Sequence, residues 1–172
     1  KTLENAIKKI DNETREKLDV TYKEVNKNFN EFFKRLFTGG KAELQLLGDE
    51  ILDTGLQVSA QPPGKKNTTI NLLSGGEKAL TAISLIFALF KLNPSPFCVM
   101  DEVDAPLDDT NTGNFCSLVK EMAEKTQFLI VTHNRITMEI AEQLIGVTQQ
   151  ELGVSRIVEV DMRDIDEMEL AY

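Results

Sequence analysis

The sequence predicts an α/β fold with a mainly parallel sheet flanked by helices, preceded by one long amphipathic helix. Short apolar runs alternate with helical patterns in the second half of the chain, as in α/β proteins. Ahead of them, apolar or semi-apolar residues recur every three or four positions from Leu3 to Leu36, without Gly or Pro. The 172 residues suffice for one domain and an appendage.

The first helix is predicted to run for about 50 Å, at about 1.5 Å per residue. Its apolar stripe is narrow until Val25, which favours one strand of a coiled coil over a helix packed on the body. The aromatic cluster at 29–37 indicates where the helix enters the globular part, and Gly39-Gly40 ends it. We therefore expect a coiled-coil segment over 1–28 and a globular part over 29–172.

The remaining elements follow from apolar periodicity and from Gly and Pro. The predicted strands are 42–47 paired antiparallel with 51–60, the buried strands 97–100 and 128–131, and a last strand over 156–160. The predicted helices are 75–92, a helix containing Phe115 to Met122, and a short helix over 136–145. The chain opens inside a helical pattern and without Met, so we expect a piece of a longer protein.

The charge balance limits the classes of partner. Nineteen Lys and Arg against 28 Asp and Glu give a net charge of −9, which disfavours a free-standing nucleic-acid binder. The most apolar stretch, Ala79 to Leu92, is too short to cross a bilayer, and no signal peptide is visible. No membrane partner is expected, and the cytoplasm is the default compartment.

Two acids follow the apolar run Phe97–Met100. Ligands of parallel α/β sheets bind at the carboxyl ends of the strands, where Asp101 and Glu102 are predicted to lie. An aspartate there can hold Mg²⁺, and the next glutamate can polarise a water for attack on a phosphoryl group. A strand that ends in solvated acids is an equally common explanation.

The segment from Leu73 to Lys78 predicts a helix start with an unusual composition. Ser74 and Glu77 fit a capping box, which needs no ligand. The cap does not explain Gly75 and Gly76, because adjacent glycines weaken a helix. They are expected where a backbone must approach something closely, and a helix N-terminus with a serine is suited to phosphate.

Three stretches of sequence in this order carry a specific resemblance. The stretch LSGGEKAL, then FCVMDEVDAPLDDTN, then FLIVTHNR resembles the signature, Walker B, D-loop and H-loop of the C-terminal half of an SMC-family head, an ABC-class ATPase. The segments FFKRLFTGGKAELQL and AQPPGKKNT are also similar to bacterial SMC proteins. The resemblance covers essentially the whole chain, and it implies that 1–28 is the end of a returning coiled-coil arm.

The resemblance implies a role for each motif residue. Ser74 with the amides of Gly75 and Gly76 would contact the γ-phosphate of ATP held by an opposite head. Asp101 would help to position Mg²⁺, and Glu102 would be the catalytic base.

Two further roles are implied by the resemblance. Asp108 of the D-loop would reach across the interface between heads, and His133 would be the switch residue near the γ-phosphate. A lone histidine after a buried strand is more often structural, but its place in VTHN favours the functional role.

No phosphate-binding loop of the form G-x-x-x-x-G-K-[ST] is present. Gly64-Lys65-Lys66 lacks the earlier glycine and the Ser or Thr, and Gly39-Gly40-Lys41 fails for similar reasons. The chain alone is therefore expected to be inactive and to need an N-terminal lobe that carries this loop. Lys65 and Lys66 are candidates for DNA contact, although a solvated loop is the commoner role.

The resemblance implies the chain's own N-terminal head lobe, a second SMC head in a homodimer, a kleisin subunit and DNA as partners, with ATP and Mg²⁺ as cofactors. The function implied is chromosome organisation, condensation and segregation at the nucleoid. An SMC-like repair ATPase such as RecN is the alternative. A transporter-type ABC subunit is disfavoured because it carries its phosphate-binding loop shortly upstream, and a purely structural coiled coil leaves Ser74, Glu102 and His133 unexplained.

Overall fold

The structure is a computed structural model that describes residues 2–151 and 153–162. Over these residues the fold is mixed α/β, as predicted, with a long first helix followed by three small sheets. Only one of these sheets is parallel, whereas the sequence predicted a mainly parallel sheet. Among the described helices, none combines the length and apolarity needed to cross a membrane.

The first helix, α1, runs without interruption over Thr2–Leu36, as predicted. Its C-terminal part supplies much of the core, through Val25, Phe29, Phe32, Phe33 and Leu36, all of which are buried. Burial of these apolar side chains, most of them three or four residues apart, stabilises the helix far more than intrinsic helix propensity does.

The N-terminal part of α1 lies mostly exposed, and its apolar stripe has no cover among the described residues. Leu3, Ile7 and Ile10 are all more than half exposed. Arg15 forms an ion pair with Glu50 and thereby lowers the pKa of that carboxyl group. The division at residue 28 between a coiled-coil segment and a globular part stays a prediction.

The strands β1 (Lys41–Leu46) and β2 (Leu56–Gln61) pair antiparallel, as predicted, and β3 (Thr68–Thr69) pairs with β2. The predicted start of the second strand at residue 51 was wrong, because 51–53 form a turn. The outer edge of β1 is bound to α1: Asn26 Nδ2 and Tyr22 Oη both donate to the Leu44 carbonyl, and Asn30 accepts from the Ala42 amide.

Helix α2 spans Gly75–Leu92 and packs on the aromatic end of α1. The Phe87 ring meets Phe32 of α1 edge-on at 6.4 Å between centroids, and it meets Phe128 in the same way at 6.1 Å. Phe128 belongs to β5 (Gln127–Val131), which pairs in parallel with β4 (Phe97–Asp101). One ring therefore links α1, α2 and the parallel strand pair.

The prediction that strands β4 and β5 are buried on both faces was wrong for the described chain. Met100 is buried and Cys98, Phe128 and Ile130 are partly buried against the core. The opposite face carries four apolar side chains that are more than half exposed: Phe97, Val99, Leu129 and Val131. The continuous apolar runs are explained by two apolar faces, of which the described residues cover one.

The last elements depart from the prediction at one point. Helix α3 spans Asp109–Ala123, and α4 is only Arg135–Met138, so the predicted helix over 136–145 was wrong. Residues from Gln143 onward form β6 (Gln143–Glu151), which pairs antiparallel with β7 (Val154–Asp161). The β-branched Ile145 and Val147 favour a strand, and pairing with β7 outweighs the apolar spacing that resembled a helix.

A buried carboxylate joins the turn after β4 to the segment after β5. Asp104 is 1% exposed and accepts hydrogen bonds from Thr132 Oγ1 at 2.6 Å and from Thr137 Oγ1. The Thr132 hydroxyl also accepts from the Asn134 amide at 3.0 Å, and the Asn134 side chain accepts from the Ile136 amide at the start of α4. These bonds fix the backbone on both sides of His133.

We predict that Asp104→Leu lowers the free energy of unfolding by about 3 kcal/mol, because both threonine hydroxyls lose a charged acceptor inside the protein. Asp104→Asn is the matched control, since its amide oxygen still accepts, and we expect a loss of about 1 kcal/mol. Chemical denaturation followed by circular dichroism measures both. Equal stability of Asp104→Leu and the unsubstituted protein would contradict the role assigned to Asp104.

Candidate functional site

Asp101 and Glu102 lie at the carboxyl end of β4, exposed to solvent, where the sequence predicted them. Glu102 has a φ of +48°, in the left-handed region that residues other than Gly rarely adopt. Its amide donates to the Val131 carbonyl at 2.9 Å, which extends the contact with β5 by one residue. Such backbone strain persists only where the surroundings impose it, and it clusters at functional sites.

His133 comes two residues after β5 and faces the same edge. Its Nδ1 lies 3.7 Å from Glu102 Oε1, and both side chains are mostly exposed. This distance is too long for a direct hydrogen bond but leaves room for a shared water or an oxygen of a ligand. The structure thus brings together the three residues Asp101, Glu102 and His133, which are up to 32 positions apart in the sequence.

Helix α2 begins with the predicted capping box. The Ser74 hydroxyl accepts from the Glu77 amide at 3.4 Å, and Glu77 Oε2 accepts from the Ser74 amide at 2.9 Å. The amides of Gly75 and Gly76 have no hydrogen-bond partner within 2–151 and 153–162. Two free donors at the positive end of an 18-residue helix form a site suited to an anion.

The two glycines differ in what surrounds them. A Cβ at Gly76 would lie 2.6 Å from the Pro106 carbonyl oxygen, so a side chain is excluded by the backbone of the turn after β4. A Cβ at Gly75 would meet nothing within 4 Å. Gly76 is therefore explained by packing inside the chain, whereas the described chain leaves open space at Gly75.

Asp108 has a structural role in the described chain. Its Oδ1 accepts from the Asn111 amide at 2.8 Å and its Oδ2 from Asn111 Nδ2 at 3.1 Å, so the carboxylate caps α3. The residue is exposed and lies just after Pro106, which touches the start of α2. The turn that carries Asp108 therefore adjoins Gly76, although the carboxylate itself is bound to Asn111.

No group of three or more His, Cys, Asp or Glu side chains within the described ranges could hold a metal ion. Asp101 supplies a single exposed carboxylate. This suits Mg²⁺, which commonly takes one or two protein carboxylates together with substrate phosphates and water.

Sequence reasoning missed one residue of this region, Asp104, and it named Lys65 only as a candidate for DNA contact, without its contact with Glu77. Asp104 was indistinguishable from the other acids that follow β4, and only its buried contacts with Thr132 and Thr137 reveal it. Lys65 forms an ion pair with Glu77 at 2.7 Å, across twelve positions of sequence. No periodicity signals a contact of this kind.

Comparison with known proteins identifies relatives over nearly the whole chain. It is 67% identical over 161 residues to a chromosome partition protein Smc of Burkholderia pseudomallei (strain 1710b). That alignment covers 94% of this chain and 14% of that protein, so the chain spans about one-seventh of the length of this curated relative.

Two solved structures are also similar. An Smc head domain from Pyrococcus furiosus, with an extended coiled coil and bound to the C-terminal domain of ScpA, matches with a TM-score of 0.93 and 34% identity. The match covers 99% of this chain and 43% of that chain. A structure from a study of ATP-driven dimerization and DNA-stimulated activation of SMC ATPases matches with a TM-score of 0.72 and 37% identity, covering 87% and 93% of the two chains.

The fold of this chain is thus that of SMC head domains. The model of the family described as the RecF/RecN/SMC N terminal domain matches residues 4–156. Since this match includes most of the chain, the chain belongs to the RecF/RecN/SMC family.

Proposed function

We propose that this chain is the C-terminal lobe of an SMC ATPase head, which hydrolyses ATP only when a P-loop-bearing lobe and a second head complete the site. The observation that carries the proposal is the meeting of Glu102 and His133 at the carboxyl ends of β4 and β5, with an open anion site at the start of α2. A residue that activates water and backbone amides that bind phosphate are parts that phosphoryl transfer commonly uses, and histidine is the most frequent side chain in proton transfer.

The assignment to the C-terminal lobe depends on motif content. The description of the family names an N-terminal domain, whereas this sequence has the signature, Walker B, D-loop and H-loop patterns and no G-x-x-x-x-G-K-[ST]. A chain without that loop has no cradle for the phosphates of its own nucleotide. It fits the half that supplies the base and acts on a nucleotide held elsewhere.

The exposed apolar face of β4 and β5 also supports a partner lobe. Four large side chains on a short strand pair, Phe97, Val99, Leu129 and Val131, are more than half exposed. An apolar patch of this kind normally lies against protein. We assign this face to contact with the N-terminal lobe of the same head.

The proposed chemistry divides between the residues at the edge of the sheet. Glu102 accepts the proton of the attacking water, and His133 holds the same water or the γ-phosphate from the other side. Asp101 would hold Mg²⁺, whose charge would offset the charge of the phosphates. The left-handed backbone of Glu102 places its carboxylate beyond the end of the strand.

The start of α2 would act on the nucleotide of the opposite head. Ser74 and the amides of Gly75 and Gly76 would bind its γ-phosphate, so ATP joins two heads in a homodimer. Asp108, on the turn beside Gly76, would extend across that interface. Asn111 donates hydrogen bonds to both carboxylate oxygens of Asp108. A contact of Asp108 with the opposite head would therefore require these bonds to break or to be shared.

The wider assembly is proposed by analogy with the relatives. We propose a kleisin partner, because the Pyrococcus furiosus head was solved with ScpA, and action on DNA through the assembled complex at the nucleoid. The exposed apolar side chains of α1 at Leu3, Ile7 and Ile10 support a returning coiled-coil arm over 1–28, because such a stripe fits a second helix. The relatives reported above are Smc proteins, which leaves no reason to favour a RecN-type repair ATPase.

ATP turnover by the chain alone, and again after a P-loop-bearing N-terminal lobe is added or fused, tests the proposal. We expect turnover only from the combination, and a rate that rises more steeply than linearly with protein concentration, because two heads form each site. Turnover by the isolated chain would contradict the split site. A strictly linear dependence on concentration, far from saturation of the dimer, would contradict action across two heads.

Glu102→Gln in the assembled head should slow hydrolysis by about a hundredfold or more, because the amide cannot accept the proton. ATP-bound dimers should accumulate, since the neutral amide keeps the shape of the site while ATP is no longer consumed. Turnover by phosphate release and dimers by analytical ultracentrifugation measure the two effects. Turnover close to that of the unsubstituted head would exclude Glu102 as the base.

The two glycines offer a matched pair of substitutions. Gly75→Val should leave the melting temperature nearly unchanged, because a side chain there meets open space, but should block ATP-dependent dimerisation. Gly76→Ala should lower the melting temperature, because its Cβ meets the Pro106 carbonyl oxygen. Calorimetry measures the melting temperatures, and ultracentrifugation measures ATP-dependent dimerisation. Normal dimerisation of Gly75→Val would show that no partner approaches this position.

A further inference from the structure

The loop between β2 and β3 reaches the start of α2 through one side chain. Lys65 Nζ lies 2.7 Å from Glu77 Oε1, while Glu77 Oε2 accepts from the Ser74 amide. The Glu77 carboxylate is thus shared between the capping box and a lysine that is remote in the sequence. Glu77 is 16% exposed and Lys65 58% exposed, so the pair lies at the surface with its acid largely covered.

The backbone around Lys65 is held by its own loop. Its amide donates to the Pro62 carbonyl at 3.1 Å, and its carbonyl accepts from Gln61 Nε2 at 3.0 Å. Farther along the loop, Asn67 accepts from the Ser59 hydroxyl at 2.8 Å. Because the backbone is bound on both sides of Lys65, less loop entropy is lost when the ammonium group meets Glu77.

The negative charge of Glu77 opposes phosphate binding at the start of α2, and the charge of Lys65 offsets it. The hydrogen bond from Lys65, and next the one from the Ser74 amide, hold the pKa of Glu77 below its ordinary value, so it is a carboxylate at neutral pH. A carboxylate three residues after Ser74 repels a phosphate that binds at the same helix end. An ammonium group at 2.7 Å cancels most of that charge.

We propose that Lys65 is a positioning residue for the start of α2, which holds Glu77 in the capping box and offsets its charge where a nucleotide of the opposite head would bind. This inference rests on the proposed function, and it assigns to the β2–β3 loop a part in head engagement. Lys65 acts through Glu77 and does not itself touch the nucleotide.

The neighbouring lysine is a matched control. Lys66 belongs to the same loop and is exposed, and it has no hydrogen bond or ion pair within 2–151 and 153–162. Both lysines bring the same charge to the same surface. A general electrostatic effect of the loop would therefore appear in both variants, whereas an effect through Glu77 belongs to Lys65 alone.

The test uses the assembled head with Glu102→Gln, so that dimers accumulate, and without DNA, so that any contact of Lys66 with DNA does not enter. Dimer formation is measured by ultracentrifugation against ATP concentration. Loss of a partly exposed ion pair weakens the binding at one site about three- to fivefold. A symmetrical dimer has two such sites, so its association constant should fall about tenfold or more. We expect this shift for Lys65→Met and none for Lys66→Met.

Two further variants separate positioning from a general structural effect. Lys65→Arg should restore most of the dimerisation, since it keeps a cation beside Glu77. In a head that also carries Glu77→Gln, Lys65→Met should have little further effect, because the charge it offsets is gone. ATP binding to the P-loop lobe and the melting temperature should stay unchanged in Lys65→Met.

The inference is overturned if Lys65→Met dimerises like Lys66→Met, if Lys65→Arg is as impaired as Lys65→Met, or if the effects of Lys65→Met and Glu77→Gln are simply additive. Failure of the head that carries Glu102→Gln alone to dimerise with ATP would refute the proposed function itself. The two failures are therefore distinguishable within one set of measurements.

Discussion

The contact between the aromatic end of α1 and the buried face of α2 determines where everything else in the chain lies. Phe87 meets both Phe32 of α1 and Phe128 of β5, and the rings of each pair are edge-on. Protein interiors are close-packed, so a shift of α1 must displace α2 and β5 together. The start of α2 and the carboxyl ends of β4 and β5 therefore keep a fixed relation, although they come from distant parts of the sequence.

Within this frame the candidate base is held in a conformation that it would not adopt alone. Two contacts impose the left-handed backbone of Glu102. One is the hydrogen bond from its amide to the Val131 carbonyl, and the other is the turn that Asp104 anchors to Thr132 and Thr137. Strain of this kind costs of order 1–3 kcal/mol and persists only when the surroundings outweigh it. The same buried carboxylate fixes the segment of His133. One network thus positions both Glu102 and His133.

Local patterns could be predicted from the sequence, and long-range contacts could not. The spacing of Phe29 and its neighbours specifies α1, and Ser74 with Glu77 specifies the start of α2, because both patterns lie within one or two helical turns. The apolar spacing after Ile136 suggested a helix, but strand pairing with β7 prevailed. Asp104 bonds to residues 28 and 33 positions away, and no periodicity in the sequence signals such a contact.

Two incomplete surfaces of the described residues, the outer face of β4 and β5 and the start of α2, differ in chemistry, and this difference indicates how each is completed. The outer face of β4 and β5 is apolar, with Phe97 and Leu129 more than half exposed, and contacts of this kind resemble a protein core divided between two partners. The start of α2 is polar and narrow: two free amides, a hydroxyl and a glycine beside open space. Polar contacts of small area are made and broken readily. Under the proposed function, the apolar face would be covered permanently by the rest of the head, whereas the helix start would be covered only while a nucleotide joins two heads. The proposed cycle of engagement and release would require this difference, because two heads joined through a large apolar face would not separate readily after hydrolysis.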